Sequence, residues 1–312
     1  MSDSSPLSKN LLIVGGTGFI GVCAVKKAIK SGYHVSVLSR NSIDLSKKIE
    51  NVEYIQADIS IYKDLLMALK SKKFTHVINL SGDINHANFN SGGKQVIESH
   101  FLGVLNLVSC LNREHLKSFV QIGSSDEYGS SVAPQNEEQT CIPLSNYSFA
   151  KLSAVNFLKM LNVSESFPVI IVRLFLVFGP NQNNLRFLPQ VITACLSNKT
   201  FPVSKGEQVR DFCFVEDIID GIFLALESKG LFGNIFNLGS GNPVKIREII
   251  ELIVKIIGKG EPLFGKLPYR KNENMALYAD ISKANKFLNW KATRNFDESI
   301  KKTIEYYNNK NL

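Results

Sequence analysis

Tyr147 and Lys151 are the residues whose types and spacing suggest chemistry most directly. They stand four positions apart in a segment with helical spacing, so their side chains share one helix face. A free tyrosine has a pKa of about 10, and a neighbouring ammonium together with an oxidised nicotinamide would lower that pKa. Such a tyrosine can pass a proton to or from a hydroxyl group while a hydride moves. The same spacing recurs at Tyr306 and Lys310, where no role is expected.

A serine is expected beside this pair. Residues 122–129 read IGSSDEYG and follow a strand-like run, and residues at the carboxyl end of a parallel strand face the ligand crevice. Ser124 can there hydrogen-bond the same substrate oxygen as Tyr147. The competing interpretations are a turn hydroxyl for Ser124 and a half-buried packing role for Tyr147. The predicted catalytic residues are Ser124, Tyr147 and Lys151.

A glycine pattern near the start of the chain predicts a nucleotide site. Gly15, Gly18 and Gly21 form GxxGxxG directly after a strand-like run. The first glycine permits a tight turn, the second lets the backbone approach a pyrophosphate, and the third allows close helix packing. The N–H groups at the start of the following helix attract phosphate. The predicted cofactor-binding residues here are Gly15, Thr17, Gly18, Phe19, Ile20 and Gly21.

The end of the second predicted strand bears on which dinucleotide binds. NAD sites usually carry an acidic residue there for the ribose 2′-hydroxyl, but residues 37–41 read VLSRN and the next carboxylate is Asp44. Arg40 can hold a 2′-phosphate in a forked ion pair, so NADP(H) is expected over NAD(H). The alternative is a surface arginine without a ligand.

Asp58, after the third strand, can accept a hydrogen bond from an adenine amino group or cap a helix.

Strand-like and helical patterns alternate through the first half of the chain. Strands are predicted at 11–14, 34–38, 53–56, 76–80, 119–122 and 169–175. This succession predicts an α/β protein, a doubly wound parallel-sheet Rossmann fold with a smaller, partly interleaved C-terminal substrate domain. The NADP-binding domain is expected over 1–178 with 213–238 returning to it, and the substrate domain over 179–212 and 239–312. A helix ending at Gly258 is expected to have Pro243 at its start.

Composition narrows the class of partner. The chain has 312 residues, 44% hydrophobic and 21% charged, with a net charge of +8, which excludes disorder as the main state and favours an anionic partner. The basic residues are dispersed without interleaved aromatics, so nucleic-acid binding is not expected. The five scattered cysteines form no metal or disulfide pattern, and no apolar run is long enough for a membrane. A cytoplasmic protein without a metal is the simple expectation.

The sequence resembles the extended short-chain dehydrogenases/reductases that modify nucleotide sugars, the epimerase/dehydratase-like group. The matching stretches occur in the family's order over nearly the whole chain: 15–21, Asp58, 79–82, 124–129, 147–151, 173–180, 209–212 and 278–283. The resemblance implies that Tyr147 is the acid/base, that Lys151 holds the nicotinamide ribose and that Ser124 orients the substrate oxygen. It also implies a nucleotide-diphosphate sugar as substrate and a homodimer formed through the helix of Tyr147.

The resemblance extends the list of binding residues. Arg210 resembles the arginine that contacts the substrate's diphosphate, and Arg270 lies where a second such arginine often sits, although its motif is degraded to PYRKN at 268–272. Either arginine can instead be a surface charge. Cofactor contacts are expected from Ile59, Leu80, Ser81 and Gly82, and substrate contacts from Ser124, Ser125, Asp126, Arg210 and Arg270.

Two positions depart from the family pattern. Leu176 stands where members commonly carry an asparagine that touches substrate phosphate. His100 replaces an asparagine often seen in the helix beside the cofactor, and can be a packed neutral ring. These changes bear on how the substrate is held, and less on the redox chemistry.

Three reactions share such a site: 4-epimerisation, 4,6-dehydration and 4-keto reduction. Arg40 argues against the NAD-retaining epimerase, while Asp126 and Glu127 keep the dehydratase open as sources of an extra base. The first choice is NADPH-dependent reduction of the C4 keto group of a nucleotide-linked 4-keto-6-deoxyhexose, in deoxysugar and polysaccharide biosynthesis. A regulatory NADP-binding protein is the non-enzyme alternative, although such proteins usually lose the Tyr/Lys pair.

Overall fold

The computed structural model describes residues 9–82, 85, 87–270 and 273–310. Lys271 and Asn272, part of the predicted arginine motif, lie outside these ranges. The strands are β1 (Asn10–Val14), β2 (His34–Ser39), β3 (Val52–Gln56), β4 (His76–Asn79), β5 (Ser118–Ser124), β6 (Val169–Leu174), β7 (Leu176–Phe178), β8 (Thr200–Pro202), β9 (Val209–Phe214), β10 (Ile235–Leu238), β11 (Pro243–Lys245), β12 (Glu261–Leu263) and β13 (Ala276–Leu277). The helices are α1 (Phe19–Lys30), α2 (Tyr62–Leu69), α3 (Gly93–Ile97), α4 (Gly103–Cys110), α5 (Asn146–Glu165), α6 (Phe187–Leu196), α7 (Val215–Glu227), α8 (Ile246–Ile257), α9 (Ser282–Leu288) and α10 (Phe296–Lys310).

Seven of the described strands form one sheet in the order β10-β6-β5-β4-β1-β2-β3. Strands β1 to β5 pair in parallel, with β1 between β2 and β4. Such strands are buried on both faces, which is why they are continuous apolar runs; four of the five residues of β1 and all six of β6 are buried. The strand order reverses at β1 and β4, where open α/β sheets bind ligands. The predicted doubly wound α/β class is confirmed.

The chain divides into two compact units. The first comprises residues up to Gly129, Thr140–Arg173 and Ile222–Phe236, and the second comprises Ser130–Gln139, Leu174–Gly221 and Asn237–Leu312. The second unit contains a sheet in which β9 pairs with β7, β11 and β13, and a two-stranded sheet of β8 and β12. The roles predicted for the two domains stay predictions.

The boundaries of the units differ from those expected, because residues 130–139, 174–178, 213–221 and 237–238 all belong to the second unit. Residues 130–139 belong to the second unit because Gln135, fully buried, exchanges hydrogen bonds with the backbone of Tyr278 and Ala276. Residues 213–221 also belong there. Asp217, at the start of α7, accepts hydrogen bonds from Thr293 and Arg294. Both contacts join residues far apart in the chain, so no local pattern reveals them.

One element prediction was wrong. The predicted strand 169–175 corresponds to β6, which ends at Leu174, and β7 then pairs with β9 in another sheet. Pro243 begins β11 rather than helix α8; β11 is an edge strand, where the missing N–H of proline is tolerated. Gly258 ends α8 in a left-handed conformation, as predicted. None of the described helices is both long and apolar enough to cross a membrane.

Candidate active site

Tyr147 and Lys151 lie in the first two turns of α5. Ser145 caps the start of this helix, and its hydroxyl accepts a hydrogen bond from the Ser148 N–H at 3.1 Å. Both predicted residues are buried, at 4% and 5% exposure. The Lys151 ammonium donates to the carbonyl oxygen of Ile122 at 3.0 Å. This bond ties the start of α5 to the carboxyl end of β5, two residues before Ser124.

Burial shifts the pKa of Lys151 away from that of an ordinary lysine. Its removal from water lowers its pKa to about 8, and the negative charge of Glu127 opposes part of that shift. The ammonium is therefore protonated at neutral pH and deprotonates within a mildly alkaline range. Lys151 stands four residues after Tyr147 on α5, so the two side chains share one face of the helix, as the spacing predicted.

Ser124 begins a short 3₁₀ turn, Ser125–Tyr128. Its hydroxyl oxygen accepts the Asp126 N–H at 3.2 Å, and its own N–H donates to Glu127 at 2.8 Å. The turn-hydroxyl interpretation therefore describes part of its role. It does not exclude the catalytic one, because a hydroxyl that accepts an N–H keeps its own hydrogen to donate. Ser125 is buried and Asp126 is half-buried in the same turn.

Glu127 forms a buried ion pair with Arg173. Oε2 of Glu127 lies 2.7 Å from Nε of Arg173, and the two side chains are 0% and 2% exposed. The Arg173 guanidinium also lies over the Tyr128 ring, 4.6 Å from its centroid. The sequence did carry a signal for this turn, because Ser124 and Glu127 have the S-x-x-E spacing of a capping box. Glu127 is thus a structural carboxylate, which leaves Asp126 of the two acids considered for a dehydratase.

The glycine turn after β1 has the geometry of a phosphate cradle. Gly15 adopts a φ of +78° and donates its N–H to the Leu38 carbonyl at 2.8 Å. A Cβ at Gly21 would overlap the carbonyl oxygen of Gly15, so only glycine lets α1 start this close to the turn. Gly18 caps α1 without a side chain, and no acidic residue occupies the first turn. Thr17 and Gly18 are exposed, Phe19 and Ile20 half-buried, so these residues fit a dinucleotide pyrophosphate.

The segment after β4 lies against this cradle. A Cβ at Gly15 would come 3.1 Å from the carbonyl of Leu80, so Leu80 and Gly15 are backbone neighbours. Asn79 accepts hydrogen bonds from the N–H and the hydroxyl of Ser81 and fixes the turn. Gly82 has a φ of +129°. The structure thus brings the predicted cofactor residues Leu80, Ser81 and Gly82 to the same sheet edge as Gly15.

Arg40 follows the last residue of β2 and is exposed. The Gln56 side-chain amide donates to its carbonyl oxygen at 3.4 Å, at the end of neighbouring β3. Asp44, the next carboxylate along the chain, accepts the Ser46 N–H at 3.0 Å and caps a 3₁₀ turn. This capping occupies one Asp44 oxygen and lowers the pKa of its carboxyl group.

Asp58 and Ile59 follow β3. One Asp58 oxygen accepts from both the N–H and the hydroxyl of Ser60, at 2.9 and 2.7 Å. Helix α2 begins only at Tyr62, and Asp58 does not cap it. Ile59 is buried, and its carbonyl oxygen accepts the Asn106 amide at 2.9 Å. Arg40, Asp58 and Gly15 thus follow the carboxyl ends of three adjacent parallel strands.

The predicted substrate arginines belong to the second unit. Arg210, on β9, is ion-paired with Glu273, and both side chains are mostly buried. Its guanidinium also donates to the Val209 carbonyl oxygen at 2.9 Å. Glu273 was missed by sequence reasoning. It precedes β13, which pairs with β9 at Arg210, and this pairing is not visible locally. Arg270 is exposed.

The two departures from the family pattern lie in different surroundings. Leu176 is 38% exposed on β7, so an apolar side chain faces solvent where an asparagine was expected. His100 is 3% exposed.

Comparison with known proteins agrees with the fold. The sequence profile of the NAD dependent epimerase/dehydratase family matches residues 11–239. A UDP-glucuronate 4-epimerase of Thermodesulfobacterium geofontis is 28% identical, over 95% of each chain. The structure is similar to that of a Bacillus cereus UDP-glucuronic acid 4-epimerase in complex with UDP-glucuronic acid and NAD, with 26% identity, a TM-score of 0.86 and coverage of 95% and 98%. A Thermotoga maritima UDP-glucose 4-epimerase has 24% identity, a TM-score of 0.90 and coverage of 97% and 100%.

Proposed function

Because the chain belongs to the NAD-dependent epimerase/dehydratase family of nucleotide-sugar enzymes, we propose that it transfers hydride at C4 of a nucleotide-linked hexose. Our specific proposal is an NADPH-dependent reductase of a 4-keto-6-deoxyhexose. The observation that carries it is Arg40, exposed at the end of β2, where an NAD site usually has a carboxylate. Asp44, the next acid along the chain, is engaged in a turn.

The chain's own residues supply the proton chemistry. The hydride for C4 would come from the dinucleotide when it is bound. Tyr147 then donates its phenolic proton to the oxygen forming at C4, and the Ser124 hydroxyl stabilises that oxygen by a hydrogen bond. Lys151, held by the Ile122 carbonyl oxygen, keeps a positive charge beside Tyr147. The cradle from Gly15 to Gly21 would hold the pyrophosphate, and Asp58 the adenine.

The substrate proposed is a nucleotide-diphosphate sugar, with Arg210 and Arg270 on the diphosphate and Ser125 and Asp126 near the sugar. Arg210 is already paired with Glu273, so a diphosphate must compete with that carboxylate.

We propose a homodimer through α5, because Phe149, Met160 and Val163 recur on one helix face at 48%, 50% and 86% exposure. Light scattering should report a dimer, and aspartate in place of Met160 and Val163 should give a monomer.

A second candidate is a 4-epimerase with tightly held NAD. Its support is that two similar proteins, at 28% and 26% identity, are UDP-glucuronate 4-epimerases. A 4,6-dehydratase retains only Asp126 as a candidate extra base, because Glu127 is ion-paired with Arg173. Incubating a panel of keto and hydroxy nucleotide sugars with NADPH and NADP+ separates the three. Consumption of NADPH by a 4-keto sugar supports the reductase. Exchange of C4 epimers without net cofactor change supports the epimerase, and formation of a 4-keto-6-deoxy sugar supports the dehydratase.

The assignment of NADPH rests on Arg40, which provides a direct test. Arg40→Ala should weaken NADPH binding ~10–100-fold, because a charge-assisted pair with the 2′-phosphate contributes about 1.5–3 kcal/mol. NADH lacks this phosphate, so its dissociation constant should change less than about twofold. Fluorescence titration measures both. Lys26→Ala, which removes an exposed charge on α1, is the matched control. An equal loss for the two cofactors would reject the phosphate contact.

A further inference from the structure

His100 lies in an unusual piece of helix. Residues Glu98–Leu102 form a π-helical turn between α3 and α4. Single π-turns inside helices are rare and occur frequently at functional sites. The wider turn carries His100 into the interior, where its side chain is buried at 3% exposure.

The imidazole contacts two parts of the candidate active site. Its ring meets the Tyr147 ring edge-to-face, with centroids 5.0 Å apart and planes at 85°. It also packs on Gly82, where an added Cβ would overlap Cε1 of the imidazole. The imidazole of His100 therefore fits only because residue 82 is a glycine, and the same imidazole is in contact with the Tyr147 ring.

We propose that His100 is a positioning residue that holds the Tyr147 ring in its proton-transfer orientation. The inference rests on the proposed function, in which Tyr147 exchanges the proton. Tyr147 is near the start of α5, and the helix backbone fixes only the Cα–Cβ direction; the ring can still turn about its side-chain bonds. A flat ring packed edge-to-face restricts that rotation. A displacement of a reacting group by ~1 Å can cost ~10²-fold in rate.

The shape of the contact argues for a ring rather than for a polar group alone. The side chain at position 100 must reach both the Gly82 backbone and the Tyr147 ring, and a planar five-membered ring spans that gap. A smaller amide leaves part of it empty. The expected order of activity is therefore histidine, then phenylalanine, then asparagine and alanine.

The test compares His100→Ala, His100→Asn and His100→Phe with the native enzyme in single-turnover hydride transfer and in NADPH titration. The alanine and asparagine variants should lose ~10–100-fold in the transfer rate, while NADPH binding changes less than about threefold. The phenylalanine variant should recover at least half of the lost transfer rate, counted on a logarithmic scale. His34→Ala, an exposed histidine at the start of β2, should leave the rate unchanged. Melting temperatures show which variants fold.

A double-mutant cycle tests whether the effect passes through Tyr147. In the Tyr147→Phe background His100→Ala should add less than about a threefold loss, because the group it positions is already gone. Full additivity, or rescue by asparagine but not by phenylalanine, would overturn the proposal. Unimpaired transfer by Tyr147→Phe alone would instead reject the acid/base assignment, and so would count against the proposed function itself.

Discussion

Replacing Tyr147 by phenylalanine is expected to reduce turnover ~10²–10⁴-fold, the range typical of a lost general acid. The substitution removes only the hydroxyl from a ring that is 4% exposed and packed against His100. The helix start and the Lys151 bond to Ile122 stay in place. The protein should therefore fold and bind NADPH nearly as before. Steady-state assays with the substrate found by the nucleotide-sugar panel measure the loss.

The chain contains a matched control for this experiment. Tyr306 also stands four residues before a lysine, Lys310, and its hydroxyl donates to Asn181 at 2.9 Å on the surface. Tyr306→Phe removes the same atom from the same spacing and should leave turnover within about twofold of native. Equal effects of the two substitutions would mean that the position of Tyr147 carries no special chemistry.

The pH dependence of turnover gives an independent view of the same group. Burial lowers the pKa of Lys151 to about 8, so its charge is lost as the pH rises through 8. The rate constant for reduction should fall on this alkaline limb. Linkage predicts the opposite trend for stability. The cost of burying a charged lysine is present below pH 8, and it is relieved between the folded pKa of about 8 and the usual lysine pKa of 10.5. An activity loss that follows alkaline unfolding in thermal melts would contradict this assignment.

Truncation of Glu127 to alanine is expected to cost about 3–5 kcal/mol of the free energy of unfolding, because it leaves a buried unpaired charge. Arg173 is 2% exposed and Nη1 of its guanidinium has no hydrogen-bond partner among the described residues. The buried positive charge of Arg173 therefore depends strongly on the Glu127 carboxylate for its stabilisation. Denaturant unfolding measures the change.

Two further variants distinguish the contribution of the Glu127 charge to stability from the contribution of its hydrogen bond in the turn. Glu127→Gln keeps an oxygen for the Ser124 N–H but removes the charge, so its stability should lie between native and alanine. The double substitution Glu127→Leu with Arg173→Met removes both charges and should destabilise less than alanine alone. Asp126→Asn, in the same turn but only half-buried, is the neighbouring control. A larger loss in the double variant than in Glu127→Ala would show that the ion pair is not the source of the effect.

Local patterns were sufficient for the parts of the site that lie next to a strand in the chain. The glycine turn, Arg40 and Asp58 each follow a parallel strand within two residues, and the carboxyl ends of such strands share one edge. Tyr147 and Lys151 share a helix face because of the helical repeat alone. The same reasoning also predicted the fold class. It could not give the contacts that Tyr147 and Lys151 make with other residues, or how deeply their side chains are buried.

What the sequence by itself determined is the alternation of elements, the phosphate turn and the spacing of the Tyr/Lys pair, since each depends on neighbours within a few residues. Only the tertiary structure decided which charges are already paired. Glu127 meets Arg173, 46 positions away, and Arg210 meets Glu273, 63 positions away. It likewise decided that His100 touches Tyr147. The physical reason is that burial and ion pairing depend on which distant strands and helices pack together, and a buried charge or ring takes its role from those neighbours.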